Sequence, residues 1–242
     1  MLWYDRTIQS LKPGKTYSRA SLLQCMHSTN PTLSMNSLQW AIGGMVKNGK
    51  LIHVGFDKYA LPGAIALPHY TPVYSDTTRK LIAKIMHEYP YVQFVAFETV
   101  LMNEFLNHLI AQNTVFIQVD KETSIYVFRF LQDKGYQSLM YKPSKKDFDL
   151  YWSNGSIVIT DLVSESPLSP NNPHSICIEK MLVDMYCDKL IRGTYSKGEF
   201  ESVMEQAFNR YYVERTRLLR YARRRNKESE ISHYLNLTTH GE

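Results

Sequence analysis

Two groups of residues in this chain of 242 have types and spacing suited to chemistry. One is Asp147-Phe-Asp149. Residues i and i+2 of a strand point to one face, where two carboxylates could hold a divalent cation such as Mg²⁺. The other is the stretch 34–48, in which Leu38, Ala41, Ile42, Met45 and Val46 recur at the spacing of a helix with one buried stripe. Its opposite face carries Asn36, Ser37, Gln39, Gly43 and Lys47. Amide, hydroxyl and ammonium groups of this kind hydrogen-bond base edges and phosphates when a helix lies in a major groove.

The flanking sequence positions that helix. Ser34 is placed to cap its start, and Gly49 to take the left-handed conformation that stops it. A helix over 18–26 offers Leu22, Leu23 and Met26 to the same core, and Asn30-Pro31 supplies the turn between the two. Residues 51–61 then alternate apolar and polar in two short runs around Gly55 to Lys58, a hairpin signal. Helix, turn, helix, hairpin is the order of a winged helix-turn-helix, a fold that reads DNA and also docks proteins. Charge favours DNA: residues 1–70 hold Arg6, Lys12, Lys15, Arg19, Lys47, Lys50 and Lys58 against Asp5 and Asp57, a net +5 that equals the charge of the whole chain. We expect Asn36, Ser37 and Gln39 near base edges and Lys47, Lys50 and Lys58 near phosphates, with Tyr17, Ser18, Arg19 and Ser34 completing the DNA-contacting set.

Length and a 44% hydrophobic composition predict two domains with sizeable cores, 1–70 and 71–242, separated by the proline-rich stretch 62–72. No signal-peptide pattern, membrane-spanning run, H-E-x-x-H or phosphate-binding glycine loop is present, so a cytoplasmic protein with no cofactor, no metal and no membrane partner is expected. Cys25, Cys177 and Cys187 have no C-x-x-C spacing and read as buried, reduced thiols. Gly43-Gly44 is unusual inside a helix, where each glycine costs about 1 kcal/mol relative to alanine. A close approach to DNA or to the neighbouring helix would rationalise it.

Residues 1–10 read as a short first helix that packs Leu2, Trp3 and Ile8. After the linker, helices are expected over 76–88, 98–110 and 124–134, and strands over 92–97, 115–119, 137–141 and 156–160, an α/β alternation. Beyond the prolines of 166–173 the pattern is helical, over 175–189, 197–213, 215–226 and about 229–235. Lys180 and Asp184, at i, i+4, are expected to pair on the surface or to meet a partner there. Arg215, Arg217, Arg220, Arg223, Arg224, Arg225 and Lys227 crowd seven cations into thirteen residues. Such a run suits nucleic acid or an acidic protein surface, or pairing with acids of its own domain.

The winged-helix start, FVAFE at 94–98, IEKMLVD at 178–184 and the tail 212–225 with LLRYA at 218–222 resemble the antitoxins of AbiE-type abortive infection, a type IV toxin–antitoxin system. That resemblance implies a non-enzymatic transcriptional autorepressor that binds an operator of inverted repeats in double-stranded DNA. It also implies a second domain resembling a degenerate nucleotidyltransferase, ending in a helical bundle, that opposes a nucleotidyltransferase toxin without requiring a stable complex. Lys180, Asp184, Arg220, Arg223 and Arg224 are the residues expected on the antitoxin surface. Two alternatives stand beside it. An active nucleotidyltransferase-like enzyme would use Asp147 and Asp149, although active members of that superfamily place a Gly-Ser turn before the pair and here Gly155-Ser156 follows it. A one-component regulator would bind a small ligand in the second domain.

Overall fold

The computed structural model describes residues 4–55, 58–62 and 67–240. It is a mixed α/β protein with helices and two small sheets. The chain divides into two compact units: 1–69 with 205–212 and 235–242, and 70–204 with 213–234. Among the described residues no helix is long and apolar enough to cross a membrane.

In the first unit the order is α1 (Asp5–Ser10), β1 (Tyr17–Ser18), α2 (Arg19–Thr29), α3 (Met35–Lys47), β2 (Ile52–Gly55) and β3 (Lys58–Ala60). Leu2 and Trp3, expected in the first helix, lie outside the described residues. Serine caps set both long helices: Ser18 Oγ accepts from Ser21 N–H at 3.1 Å, and Ser34 Oγ accepts from Ser37 N–H at 3.2 Å. Gly49, at φ 67°, ends α3 while the Lys50 N–H donates to Met45 O at 2.8 Å, the paired closure that a left-handed residue permits. Leu22, Met26, Leu38, Ile42, Met45 and Leu51 fill the small core. The strands form an antiparallel sheet in the order β1-β3-β2. β1 escapes the sequence pattern because two residues are too few to show alternation.

The second unit is built on a four-stranded sheet in the order β4-β5-β7-β6, from β4 (Phe94–Glu98), β5 (Thr114–Val119), β6 (Leu139–Tyr141) and β7 (Ser156–Asp161). β4 is antiparallel to β5, and the other two pairs are parallel. β4 and β5 are buried at every position, which is why they read as apolar runs. α4 (Asp76–Glu88), α5 (Ser124–Asp133) and α6 (Lys145–Tyr151) belong to this unit, with α7 (Ile178–Cys187), α8 (Lys189–Arg192) and α10 (Arg215–Arg224). Residues of α9 (Phe200–Arg210) and α11 (Glu228–His240) fall in both units.

Three expectations change. The helix predicted over 98–110 is a 3₁₀ segment, Thr99–Glu104, followed by a loop. Side chains there satisfy the backbone instead: Asn103 bonds both Ile110 N–H (2.7 Å) and Ile110 O (3.0 Å), and Glu199 accepts from Asn107 N–H at 2.8 Å. The helix predicted over 175–189 is shorter, because Asp188 Oδ1 accepts from Leu190 N–H (2.9 Å) and Ile191 N–H (3.3 Å) and so caps α8. Asp147-Phe-Asp149 is not a strand but the middle of α6, where Ser144 Oγ accepts from Asp147 N–H at 3.1 Å and donates to Asp147 Oδ2 at 2.7 Å.

Candidate functional site

On α3, 3.6 residues per turn place Asn36, Trp40, Gly43 and Lys47 along one line, opposite the buried Leu38 and Ile42. All four are exposed, as is Gln39 beside them. Trp40, at 84% exposure, is the residue that sequence reasoning missed. The signal was present, since position 40 falls diametrically across the helix from the apolar stripe. Gly43 and Gly44 have no packing reason to be glycine: a methyl group at either would meet nothing within 4 Å. The neighbouring helix is therefore not what they accommodate.

Other members of the expected DNA-contacting set divide. Lys58 is exposed at the start of β3, and Arg19 is half-buried at the start of α2. The hydroxyls of Ser18 and Ser34 serve as helix caps, and that of Ser37 lies 2.9 Å from Ser34 Oγ. Two residues are drawn inward. Tyr17 is buried, and its Oη accepts from Lys12 N–H at 2.7 Å, so it belongs to the core. Lys50 donates to Asp5 and sits 5.1 Å from the centroid of the Tyr4 ring, which holds it against its own unit.

The second unit encloses a charged network. Lys180 and Asp184, expected on the surface, are 0% and 1% exposed in their side chains. Lys180 Nζ donates to Asp184 Oδ2 (2.8 Å), Tyr221 Oη (3.0 Å) and Ser166 Oγ (3.3 Å). Asp184 also accepts from Tyr221 Oη (2.8 Å), Gln118 Nε2 (3.2 Å) and Arg225 Nη1 (3.3 Å). Spacing of i, i+4 says only that two side chains meet; α7 is buried from Ile178 through Met185, so the pair is internal. Burial opposes both charges, yet the Asp184 carboxylate and the Tyr221 oxygen together hold the Lys180 ammonium above its ordinary pKa. Lys180 and Arg225 likewise outweigh burial and hold Asp184 below its own. Burial, then the Asp184 charge, pushes Tyr221 up to about 12. Gln118 Oε1 is the one buried side-chain polar atom without a partner among the described residues.

The basic run on α10 is directed largely at its own unit. Arg217 donates to Leu168 O, Arg220 lies 3.5 Å from Glu165, and Arg224 Nε donates to Ser164 Oγ at 2.8 Å. Three arginines one or two turns apart thus fasten the segment 164–168 antiparallel along the helix. Arg223 forks onto Glu228 at 2.6 and 2.7 Å. Arg220, Arg223 and Arg224 remain exposed, but their guanidiniums are engaged, which corrects the picture of an unoccupied cationic surface.

All three cysteines are free thiols; Cys177 is buried, and Cys25 and Cys187 are half-buried. Burial raises Cys177 to about 12 and Cys187 to about 11, so neither is a thiolate at neutral pH. Asp147 and Asp149 do not converge as a cation site: on a helix, i and i+2 point to different sides, and Asp149 pairs with Lys145. Asp149 borders a cleft of about 430 Å³, lined chiefly by Leu109, Ile110, Thr114, Phe148 and Trp152.

These features define a mixed α/β protein with an exposed polar helix face in one unit and an enclosed charge network in the other. The chain belongs to DUF6577, a family of unknown function, with the match spanning residues 37–241. No curated protein matches it. Among solved structures, the crystal structure of the RV2827C protein from Mycobacterium tuberculosis aligns with 97% of this chain and 80% of its own, at 13% identity and a TM-score of 0.24.

Proposed function

We propose that the chain is a DNA-binding repressor whose α3 enters the major groove, and that it acts as the antitoxin of a type IV toxin–antitoxin pair. The observation that carries the DNA half is the line Asn36, Trp40, Gly43 and Lys47, exposed on a helix that has no acidic residue. It lies within a 70-residue stretch of charge +5. Two helices, α2 and α3, followed by the β2–β3 hairpin support a winged helix-turn-helix, and exposure of Lys58 on the hairpin supports its reading as a phosphate contact. The antitoxin half rests on the resemblance of FVAFE, IEKMLVD and LLRYA to the AbiE-type antitoxins; these segments supply β4, α7 and α10. The α/β alternation around β4, β5 and β7 is compatible with a degenerate nucleotidyltransferase fold. With Lys180 and Asp184 internal, any surface that opposes a toxin must be sought elsewhere, and Arg220, Arg223 and Arg224 are the exposed cations of the expected set.

Binding of the full chain to DNA from its own upstream region, against random duplex, tests the first half. Gln39→Ala should cost about 1–3 kcal/mol on the preferred site and little on random DNA. Lys58→Ala should weaken both and reduce the salt slope by about one. Equal losses on both duplexes from the Gln39 change would defeat base reading. Growth rescue tests the second half, with a nucleotidyltransferase toxin encoded beside this chain induced in its presence; failure of the well-folded full chain to rescue removes the antitoxin role and leaves DNA binding standing. The cleft beside Phe148 and Trp152 favours a second reading, a regulator that answers a small apolar ligand. A screen of flat aromatic compounds that leaves both the melting temperature and DNA affinity unchanged would dismiss it.

A further inference from the structure

We propose that Trp40 is a base-reading side chain of this protein, covering thymine methyl groups in the major groove and so biasing the operator toward thymine opposite the centre of α3. The inference rests on the DNA reading above and goes beyond it by naming the residue and the base. At 84% exposure the indole adds little to the small core, and it is the most exposed large apolar side chain on its helix. A tryptophan carries 150–250 Å² of area that stabilises only when something covers it. Its neighbours decide what that is. Asn36 lies one turn before it and Lys47 two turns after, an amide and an ammonium suited to base edges and phosphates, and no carboxylate on α3 would repel a polyanion. Gly43, one turn on, presents no side chain and has open space where a methyl would stand, which lets the partner come close beside the indole. An apolar protein surface would instead leave Asn36, Gln39 and Lys47 desolvated without matched partners. Among base atoms in the major groove, only the thymine 5-methyl offers an apolar contact, and an aromatic ring covers it well.

The experiment selects duplexes from a random pool with the full-length protein and with Trp40→Ala. The wild type should enrich thymine at a position that the variant leaves unselected. On the selected duplex, replacing that thymine by deoxyuridine, which removes the methyl alone, should weaken the wild type several-fold and leave Trp40→Ala unaffected. Trp40→Phe should keep most of the thymine preference. Unchanged melting temperatures would confirm that the variants fold. Failure of the wild type to enrich any sequence would overturn the DNA reading itself. Enrichment with no response to deoxyuridine, or with Trp40→Ala selecting the same thymine, would overturn this proposal alone.

Discussion

Replacing Asp184 by asparagine isolates the energetics of the second unit. The substitution keeps the shape of the side chain and removes the only carboxylate among the described residues that Lys180 contacts, leaving an ammonium of 0% exposure facing Tyr221 and Ser166. Arg225, at 17% exposure, can turn toward water; Lys180 cannot. If Lys180 stays charged, breaking a buried pair costs about 3–5 kcal/mol. If it releases its proton at pH 7, moving about 3.4 pKa units at 1.36 kcal/mol each costs about 4.6 kcal/mol. The two routes agree. For a chain of this length each kcal/mol lowers the melting temperature by about 2–4 °C, so the expected drop is roughly 6–20 °C. Calorimetry of the full chain measures it. Adding Lys180→Met to Asp184→Asn should recover most of the loss, because the unpaired charge is then gone. An Asp184→Asn protein that melts within about 2 °C of wild type would refute the argument that this pair is sealed from solvent.

Other expectations follow from the same contacts. Because Asp184 titrates below its ordinary 3.8 in the fold, its contribution is fully present above that value and lost as the pH falls through the lower folded value. The melting temperature should therefore fall steeply below about pH 4, and Asp184→Asn should flatten that limb. At the alkaline end Lys180 is held above 10.5, so its contribution persists below that value and is lost as the pH rises through the higher folded one. Asp188 behaves oppositely to Asp184: burial, then the nearby Asp184 charge, raises its pKa above the ordinary value, so the fold favours its ionised form less than the unfolded chain does. Asp188→Asn keeps an oxygen for the Leu190 and Ile191 amides and should leave stability at pH 7 equal to or above wild type; a loss of several degrees would show that the charge is needed. Gly43→Ala should raise the stability of α3 by about 1 kcal/mol while weakening DNA binding, and an alanine that stabilises without weakening removes Gly43 from the interface.

What the sequence determined by itself is the local grammar. Ser34 and Gly49 bound α3 because a cap and a left-handed stop act within a few residues and need no distant partner. The apolar stripe of α3 also fixes which way Trp40 faces, since periodicity alone places position 40 opposite Leu38 and Ile42. The buried runs of β4 and β5 were legible for a similar reason: a strand covered on both faces is apolar throughout. Apart from α6, tertiary structure decided the rest. Asp147 and Asp149 sit on a helix because Ser144 caps it, a local signal that the two-residue alternation of the acids obscured. The loop after Glu104 depends on Glu199, far along the chain, to satisfy its amides. Lys180 and Asp184 have the spacing of a surface pair, and no local feature distinguishes that from a buried one. Only the convergence of Gln118 from β5 and Tyr221 from α10 onto α7 removes them from water, and desolvation depends on everything that surrounds a group, not on its neighbours in sequence.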